Sequence, residues 1–259
     1  IVFEIRFLLC LALAKTQNSK MLVEVEKIEG ADYYFLRGFY YRQTGKANYA
    51  LSEYVKALKI RKNFSKVKRE LVQVYMMLQE YSNATTLAKE NYDNYRDNPY
   101  HIHAYFMCLV KGDKSLDSRV ILESLLYDLS LIKSEKAKEM YLRSQALFEA
   151  IYNENEYRSL ELINQDINQY PDLDYAYTIK FDICEKFQRI EDMKEVIAVI
   201  EKIGNKKYNN NIVCYKSIVI AIEKDSTEAI DYFMTNIRNY TDEAKQSFAK
   251  RLTQKHAKN

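Results

Sequence analysis

The chain has 259 residues, of which 47% are hydrophobic and 29% are charged, and its net charge at pH 7 is +3. These values are ordinary for a folded protein in water, and the small net charge does not indicate nucleic-acid binding. Five glycines and two prolines are too few for a sheet-rich fold or for Gly-rich phosphate loops, so the composition predicts an all-α protein with short connections.

The first predicted element is a helix pair in residues 1–30. Its first half is strongly apolar, and Leu22, Val25 and Ile28 mark the apolar stripe of the second half. The run Phe7–Ala14 resembles the apolar core of a signal peptide, but it is too short to span a bilayer, and we favour a buried helix. Such an apolar helix suggests that further chain precedes it or that a partner docks against it.

Residues 31–64 contain the clearest pattern in the chain. Tyr34, Gly38 and Tyr41 lie on one stripe of a predicted helix, and Gly45 interrupts that stripe. A second stripe follows with Ala50, Tyr54, Ala57 and Leu58. The pattern predicts two antiparallel helices that approach most closely at small residues, with tyrosines filling the adjoining space.

These eight residues resemble the signature of the tetratricopeptide repeat, which has an aromatic residue, Gly, Tyr, Gly, Ala, an aromatic residue, Ala and Leu at the same spacing. Two positions depart from it, since Arg37 stands where the family has Leu and Lys62 where it has Pro. One repeat cannot bury its own apolar faces. The resemblance therefore implies an α-α superhelix, a right-handed solenoid of stacked helix pairs with a concave groove.

The repeat spacing continues along the chain. Ala84 follows Ala50 by 34 residues, and Ser118 follows Ala84 by another 34. The next equivalent residue is Leu160, which comes 42 residues after Ser118. Extra residues must therefore lengthen the helices around residues 131–138.

A single domain of about six helix pairs and two capping elements follows from this spacing. The predicted pairs span residues 31–64, 65–99, 100–134, 135–171, 172–208 and 209–240. Residues 225–227 offer an N-cap within the last pair. The helix predicted at 241–255 has one thin apolar stripe, which suits the solvent-facing cap of a repeat array, and the tail beyond it is expected to be disordered.

No catalytic, metal or cofactor site is predicted. On a helix, His101 and His103 point about 200° apart, unlike the i, i+4 pair of a helical metal site, so packing roles are favoured. Cys108 follows His103 by five residues but lies on an apolar stretch, which argues against an activated thiolate. The cysteines form no CxxC pair and indicate buried, reduced thiols in a cytoplasmic protein. They are Cys10, Cys108, Cys184 and Cys214.

A basic run in residues 56–69 holds seven Lys and Arg side chains. It crosses a boundary between units, where charged, solvated turns are common. Helical repeats that bind RNA have a similar period, so RNA binding stays a minor alternative. Nucleic acid is not expected as the main partner, because the net charge supplies little counterion-release affinity.

The family resemblance also implies which residues face the concave groove. The predicted peptide-binding residues are Phe35, Phe39, Arg42, Arg69, Gln73, Met76, Tyr100, His103 and Met107. Aromatic and Met surfaces flanked by charges suit an apolar or mixed peptide. The alternative is that the apolar members only pack on neighbouring helices, because packing and groove lining use the same faces. Phe35 and Phe39 replace the Lys and Asn with which related domains hold chaperone tails, so a chaperone-tail adaptor is not expected.

Two functional hypotheses remain, neither of which involves a membrane. In the first, the chain is a non-enzymatic scaffold or adaptor that binds a protein or peptide in its groove. In the second, it is the C-terminal sensor or regulatory part of a larger signalling or bacterial defence protein. The effector there would be an NTPase or nuclease that adjoins the N-terminal helix.

Overall fold

A computed structural model describes residues 2–112, 116–170, 174–204, 208–238 and 242–255. Within these ranges the regular elements are all helices, and no strand is present. The helices are α1 (Val2–Lys15), α2 (Met21–Glu24, extended by a 3-10 turn at Val25–Lys27), α3 (Gly30–Gln43), α4 (Ala47–Ile60), α5 (Ser65–Met77), α6 (Tyr81–Asn94), α7 (Pro99–Gly112), α8 (Leu116–Leu131), α9 (Glu135–Ile151), α10 (Glu156–Gln169), α11 (Asp174–Lys186), α12 (Ile190–Ile203), α13 (Asn209–Glu223), α14 (Ser226–Asn236) and α15 (Asp242–Lys255). The predicted all-α class is confirmed.

These helices form consecutive hairpins. In each hairpin a first helix packs against a second helix, as α3 packs on α4 and α5 on α6. Each second helix then packs on the first helix of the next hairpin, and the first helices from α3 to α11 contact one another in order. The result is the two-layered α-α superhelix that the repeat spacing predicts, with the first helices as its inner layer.

A left-handed residue recurs at the turn inside the hairpins. Gly45 has φ +74° between α3 and α4, and the same turn is made by Gln17, Gln79, Glu154 and Gln188, with φ of 57°, 62°, 51° and 56°. Such a residue satisfies the last carbonyls of a helix and reverses the chain. Because Gln17 makes this turn between α1 and α2, the N-terminal pair is built like the units that follow it.

Small residues set the distance between the two helices of a hairpin. A Cβ atom on Gly38 would lie 2.5 Å from a ring carbon of Tyr54, so α3 and α4 touch where the pattern predicts. Ala50, Ala84 and Ser118 are all buried, and each lies in the first turn of its second helix, α4, α6 or α8. These positions are thus equivalent on successive hairpins.

Longer helices explain the break in the repeat spacing. α8 has 16 residues and α9 has 17, whereas α3, α4, α6 and α7 have 14 each. Ser134 caps α9, since its Oγ accepts a hydrogen bond from the Ala137 N–H at 3.1 Å. The extra residues therefore lie around 131–138, as predicted.

The first helix covers one end of the array and is exposed on its other side. Within α1 only Cys10 and Ala14 are buried. Large apolar side chains are exposed on the outer side of this helix, namely Val2, Phe3, Ile5, Leu8 and Leu9. The expectation of a buried helix therefore holds for one face of α1 and fails for the other. In the described part of the chain, no helix is both long and apolar enough to cross a membrane.

The last helix closes the opposite end. Phe248 and Leu252 of α15 are buried, and the Phe248 ring centroid lies 4.6 Å from that of Phe233 in α14. Asp225 caps α14 as predicted, since its Oδ1 accepts from the Glu228 N–H at 2.8 Å. The unit ends predicted at residues 171 and 240 and the tail beyond residue 255 lie outside the described residues.

Candidate interaction surface

Phe35 and Phe39 are buried at 3% and 7% exposure, although the sequence places them in the groove. The Phe35 ring lies 6.1 Å from Phe7 of α1 and 5.4 Å from Phe64. Phe7 stands ten residues before Gln17, as Phe35 stands ten before Gly45, so the two rings occupy equivalent positions on neighbouring first helices. Stacking between units therefore covers the Phe35 ring, which belongs to the core.

Arg42 also makes its contacts within the protein. Its Nε lies 2.7 Å from Glu70 Oε2, which ties α3 to α5, and its guanidinium lies 5.2 Å from the Phe39 ring centroid. Both members of this ion pair are largely buried. Because a buried pair is costly to separate, Arg42 holds two units together and does not present a free charge to a ligand.

His103 and Met107 lie inside as well, since α7 is buried at each residue from His101 to Val110. His103 Nδ1 lies 2.9 Å from Ser144 Oγ of α9, and the ring meets Tyr175 edge-on at 6.1 Å. Burial, helped by the charges of Arg143 and Lys136, lowers the pKa of His103 to about 3. His103 is therefore a neutral core residue.

A buried charge cluster beside His103 was not recognised from the sequence. Arg143 Nη1 lies 2.5 Å from Glu139 Oε1, and Arg143 Nε lies 2.7 Å from Asp166 Oδ2 of α10. Burial raises the pKa of Asp166 against the opposing charge of Arg143. Glu139 and Arg143 stand four residues apart on α9, a spacing that favours pairing on a helix, whereas the contact with Asp166 depends on how α9 packs on α10.

Four of the nine predicted groove residues keep accessible side chains. Arg69 and Tyr100 are exposed, at 44% for the Arg69 side chain and 46% for Tyr100. Gln73 and Met76 are half-buried beside Arg69 on α5. We call Arg69, Gln73, Met76 and Tyr100 the open strip. It lies on two adjacent first helices, α5 and α7, and the Lys136 ammonium of α9 lies 5.5 Å from the Tyr100 ring centroid.

On the inner side of the C-terminal half, ion pairs join first helices that are not neighbours. Lys111 Nζ of α7 lies 2.6 Å from Asp182 Oδ2 of α11, and Arg251 Nη2 of α15 lies 2.6 Å from Glu185 Oε2, also of α11. Burial alone would lower the pKa of Lys111, but the charge and hydrogen bond of Asp182 outweigh it and raise the pKa. We call these four residues the charged seam.

Two members of the charged seam could have been found from the sequence. Asp182 and Glu185 stand six and three residues before Gln188, just as Phe39 and Arg42 stand six and three before Gly45. They therefore occupy groove positions of the fifth unit. Extending the groove positions beyond the third unit would have identified them, but their partners are remote in sequence.

The basic run at 56–69 is partly neutralised within the protein. Arg61 Nη2 lies 2.8 Å from Asp32 Oδ2, and Lys68 Nζ lies 2.6 Å from Glu90 Oε1. Lys56 pairs with Glu53 at 2.8 Å. The run therefore presents fewer uncompensated charges than its sequence suggests.

Cys108, which follows His103 in the sequence, has the surroundings of a structural thiol. Burial raises the pKa of Cys108 to about 12, and its thiol points at the Met76 sulfur at 3.6 Å. A thiol in such surroundings stays protonated and unreactive. Among the described residues, no group of three or more His, Cys, Asp and Glu side chains is placed to hold one metal ion.

Comparison with known proteins gives structural likeness only. No protein-family model matches the sequence, and no curated protein matches it. A solved tetratricopeptide repeat protein from Parabacteroides merdae superposes with a TM-score of 0.51 at 15% identity, covering 97% of this chain and 98% of that one. PilF from Pseudomonas aeruginosa gives 0.42 at 15% identity, over 85% of this chain and 97% of that one. The hairpin geometry and the Parabacteroides likeness together show that this chain has the tetratricopeptide-repeat fold.

Proposed function

We propose that the chain is a non-enzymatic scaffold that holds an extended peptide of a partner protein on the open strip. The observation that carries the proposal is the accessibility of Arg69, Gln73, Met76 and Tyr100 on adjacent first helices, while the other predicted groove residues are buried or, as with Arg42, held in an internal ion pair. Tyr and Arg side chains such as these are among the residue types most enriched at binding hot spots. The buried cysteine thiols support a reducing, cytoplasmic compartment for this scaffold.

The buried contacts beneath the open strip support a preformed surface. The Arg42–Glu70 pair fixes α5 against α3, and the His103–Ser144 contact fixes α7 against α9. A surface that is rigid before binding loses less conformational entropy when its ligand arrives. A peptide could thus bind without rearranging the helices.

Co-purification from the native host tests this proposal. The tagged chain should retain a defined partner, identified by mass spectrometry, and Arg69→Ala and Tyr100→Ala should each reduce its recovery at least tenfold. Tyr157→Ala is the matched control, because this ring is 79% exposed on α10, away from the open strip. Undiminished recovery of the partner by both groove variants would refute the proposal.

A second candidate function is supported by the exposed apolar face of α1. In the other hairpins the corresponding side of a first helix is covered by the second helix before it. An upstream effector docked on Ile5 and Leu8 would make this chain the regulatory part of an NTPase or nuclease. Such an activity should then co-purify with the chain and be lost in Ile5→Gln/Leu8→Gln. If no such activity co-purifies, this second candidate fails.

A further inference from the structure

We infer that the ligand of the open strip is an acidic, extended peptide with two carboxylates about six residues apart and an apolar residue between them. The inference rests on the proposed function, since it describes the partner of that same surface. It comes from the distribution of charge along α5, α7 and α9 and from the distance between these helices.

The first step concerns which charges are already compensated. The shortest contact of Glu70, at 2.7 Å, is with the buried Arg42. Its contact with Arg69, on the outside, is longer, at 3.4 Å. In the described part of the chain Lys66 forms no ion pair, and its ammonium instead lies 5.3 Å from the Phe7 ring centroid. The α5 end of the open strip therefore carries two cations for which the fold supplies little counter-charge.

The second step concerns the far end of the strip. Glu139 is shared, because Arg143 Nη1 lies 2.5 Å from its Oε1, and Lys136 Nζ lies 2.9 Å from Oε1 and 2.7 Å from Oε2. The buried Arg143 cannot leave this carboxylate without a large loss. Lys136 is half-exposed and lies over the Tyr100 ring, so its ammonium can turn to a ligand.

The nearby carboxylate of Glu135 could repel such a ligand, but it already has partners within the protein. Glu135 Oε1 lies 2.7 Å from Lys138 Nζ, and the Tyr170 hydroxyl donates to Glu135 Oε2 at 3.0 Å. Burial, together with the charge of Arg69, lowers the pKa of His101, so Arg69 lies close enough to act on α7. The open strip is thus bordered by cations at both ends, which is complementary to an anionic partner.

The third step converts this geometry into a peptide spacing. Because each unit is a hairpin, α5, α7 and α9 run in the same direction, and their first turns lie along one edge of the inner layer. Packed helices are about 8–10 Å apart, so α5 and α9 are separated by about 16–20 Å. An extended chain rises about 3.3 Å per residue, so carboxylates five or six residues apart would reach Arg69 and Lys136. An apolar residue midway would meet Tyr100, which lies in the first turn of α7.

Fluorescence anisotropy with defined peptides tests the inference. The probes are labelled Glu-Ala-Ala-Leu-Ala-Ala-Glu, its Gln counterpart and its Lys counterpart, with polyuridine as a separate probe. The acidic peptide should bind at least tenfold more tightly than the Gln peptide, and the Lys peptide should not bind. Lys66→Gln/Arg69→Gln should weaken the acidic peptide at least tenfold.

A charge-matched variant separates a local effect from a general one. Lys59→Gln/Lys62→Gln removes the same charge from exposed positions at the end of α4 and should leave peptide binding unchanged. Equal binding of the acidic and Gln peptides, or equal losses in the two double variants, would overturn the inference. If both peptides bind equally and Tyr100→Ala abolishes binding, the proposed function survives without the acidic preference. Failure of every peptide to bind, or tight polyuridine binding lost with Arg69, would also overturn the inference.

Discussion

Lys111 and Asp182 are 71 residues apart in the chain, and their side chains meet at 2.6 Å on the inner side of the superhelix. They belong to α7 and α11, which are not successive first helices, since α9 lies between them in the order of the units. Arg251 and Glu185 form the same kind of contact between α15 and α11. These two pairs bring alternate units together and so define how tightly the C-terminal half is wound.

We expect the double variant Lys111→Met/Arg251→Met to loosen the C-terminal half. It leaves Asp182 and Glu185 without their cations, one helical turn apart, and their repulsion favours a more open curvature. The radius of gyration measured by small-angle X-ray scattering should rise while the helical circular dichroism is retained. Because these pairs are partly solvated, each should stabilise the fold by only about 1–2 kcal/mol.

The control for this prediction is Lys194→Met/Lys216→Met. These lysines pair with Glu223 and Glu201 at 2.6 and 2.7 Å, but both pairs join the neighbouring helices α12 and α13. The radius of gyration of the control should match the wild type. An unchanged radius in both double variants would show that the charged seam does not set the curvature.

Phe35→Ala should destabilise the protein by about 3–5 kcal/mol in urea unfolding, because it empties a site packed among Phe7, Tyr54 and Phe64. Tyr100→Ala should change the free energy of unfolding by less than about 0.5 kcal/mol, since that ring is exposed. If Phe35→Ala lowered the free energy of unfolding only slightly, the Phe35 ring would be available to a ligand after all.

Gln79→Gly should stabilise the protein by about 0.5–1 kcal/mol. Gln79 has φ +62° at the turn between α5 and α6, where a Cβ atom is strained and glycine is not. Part of the gain is offset by the greater freedom of glycine in the unfolded chain. The control Gln79→Ala keeps the Cβ atom and should bring no gain in thermal or urea unfolding, so equal gains in both variants would contradict the turn geometry.

We expect the free energy of unfolding to fall in mild acid because of His103. Its pKa is about 3 in the folded state against 6.5 for an unperturbed histidine, so only the unfolded state takes up a proton between these values. The contribution of neutral His103 to the free energy of unfolding is complete above pH 6.5. As the pH falls toward 3, the free energy of unfolding drops by up to about 1.4 kcal/mol per pH unit. His103→Gln should flatten the slope of stability between pH 6 and pH 4.

The slope, not the absolute stability, is the informative quantity for His103. Asp166, whose pKa is raised by burial, contributes to the wild type and the variant alike. The matched variant is His101→Gln, which removes a second histidine whose pKa is lowered by burial and by Arg69. Identical slopes for the wild type and His103→Gln would show that His103 is protonated or solvated in the folded protein.

Local spacing made most of the hairpins predictable. Gly38, Ala50 and Ala84 are small because another helix passes directly over them, and such contacts recur at a fixed interval in a repeat array. The 42-residue step to Leu160 likewise located the longer helices α8 and α9. The left-handed turns at Gln79, Glu154 and Gln188 were harder to foresee, because glutamine and glutamate carry no strong signal for that conformation.

The binding surface was less predictable than the fold. Phe39 and Met107 occupy groove positions of the repeat, yet both are buried, whereas Arg69 and Tyr100 at other groove positions are accessible. Position within a unit identifies the face of a helix, and it does not tell whether another helix covers that face. The ion pair of Arg143 with Asp166 was also not predictable, because it depends on how α9 packs on α10.

The sequence by itself determined the class of fold, the hairpin unit and the place where the repeat lengthens, because these depend on residues a few positions apart within a helix or a turn. Only the tertiary structure decided which inner side chains stay accessible. That depends on the curvature of the whole array, which brings Phe7 onto Phe35 and Lys111 onto Asp182 across intervals that no local pattern spans.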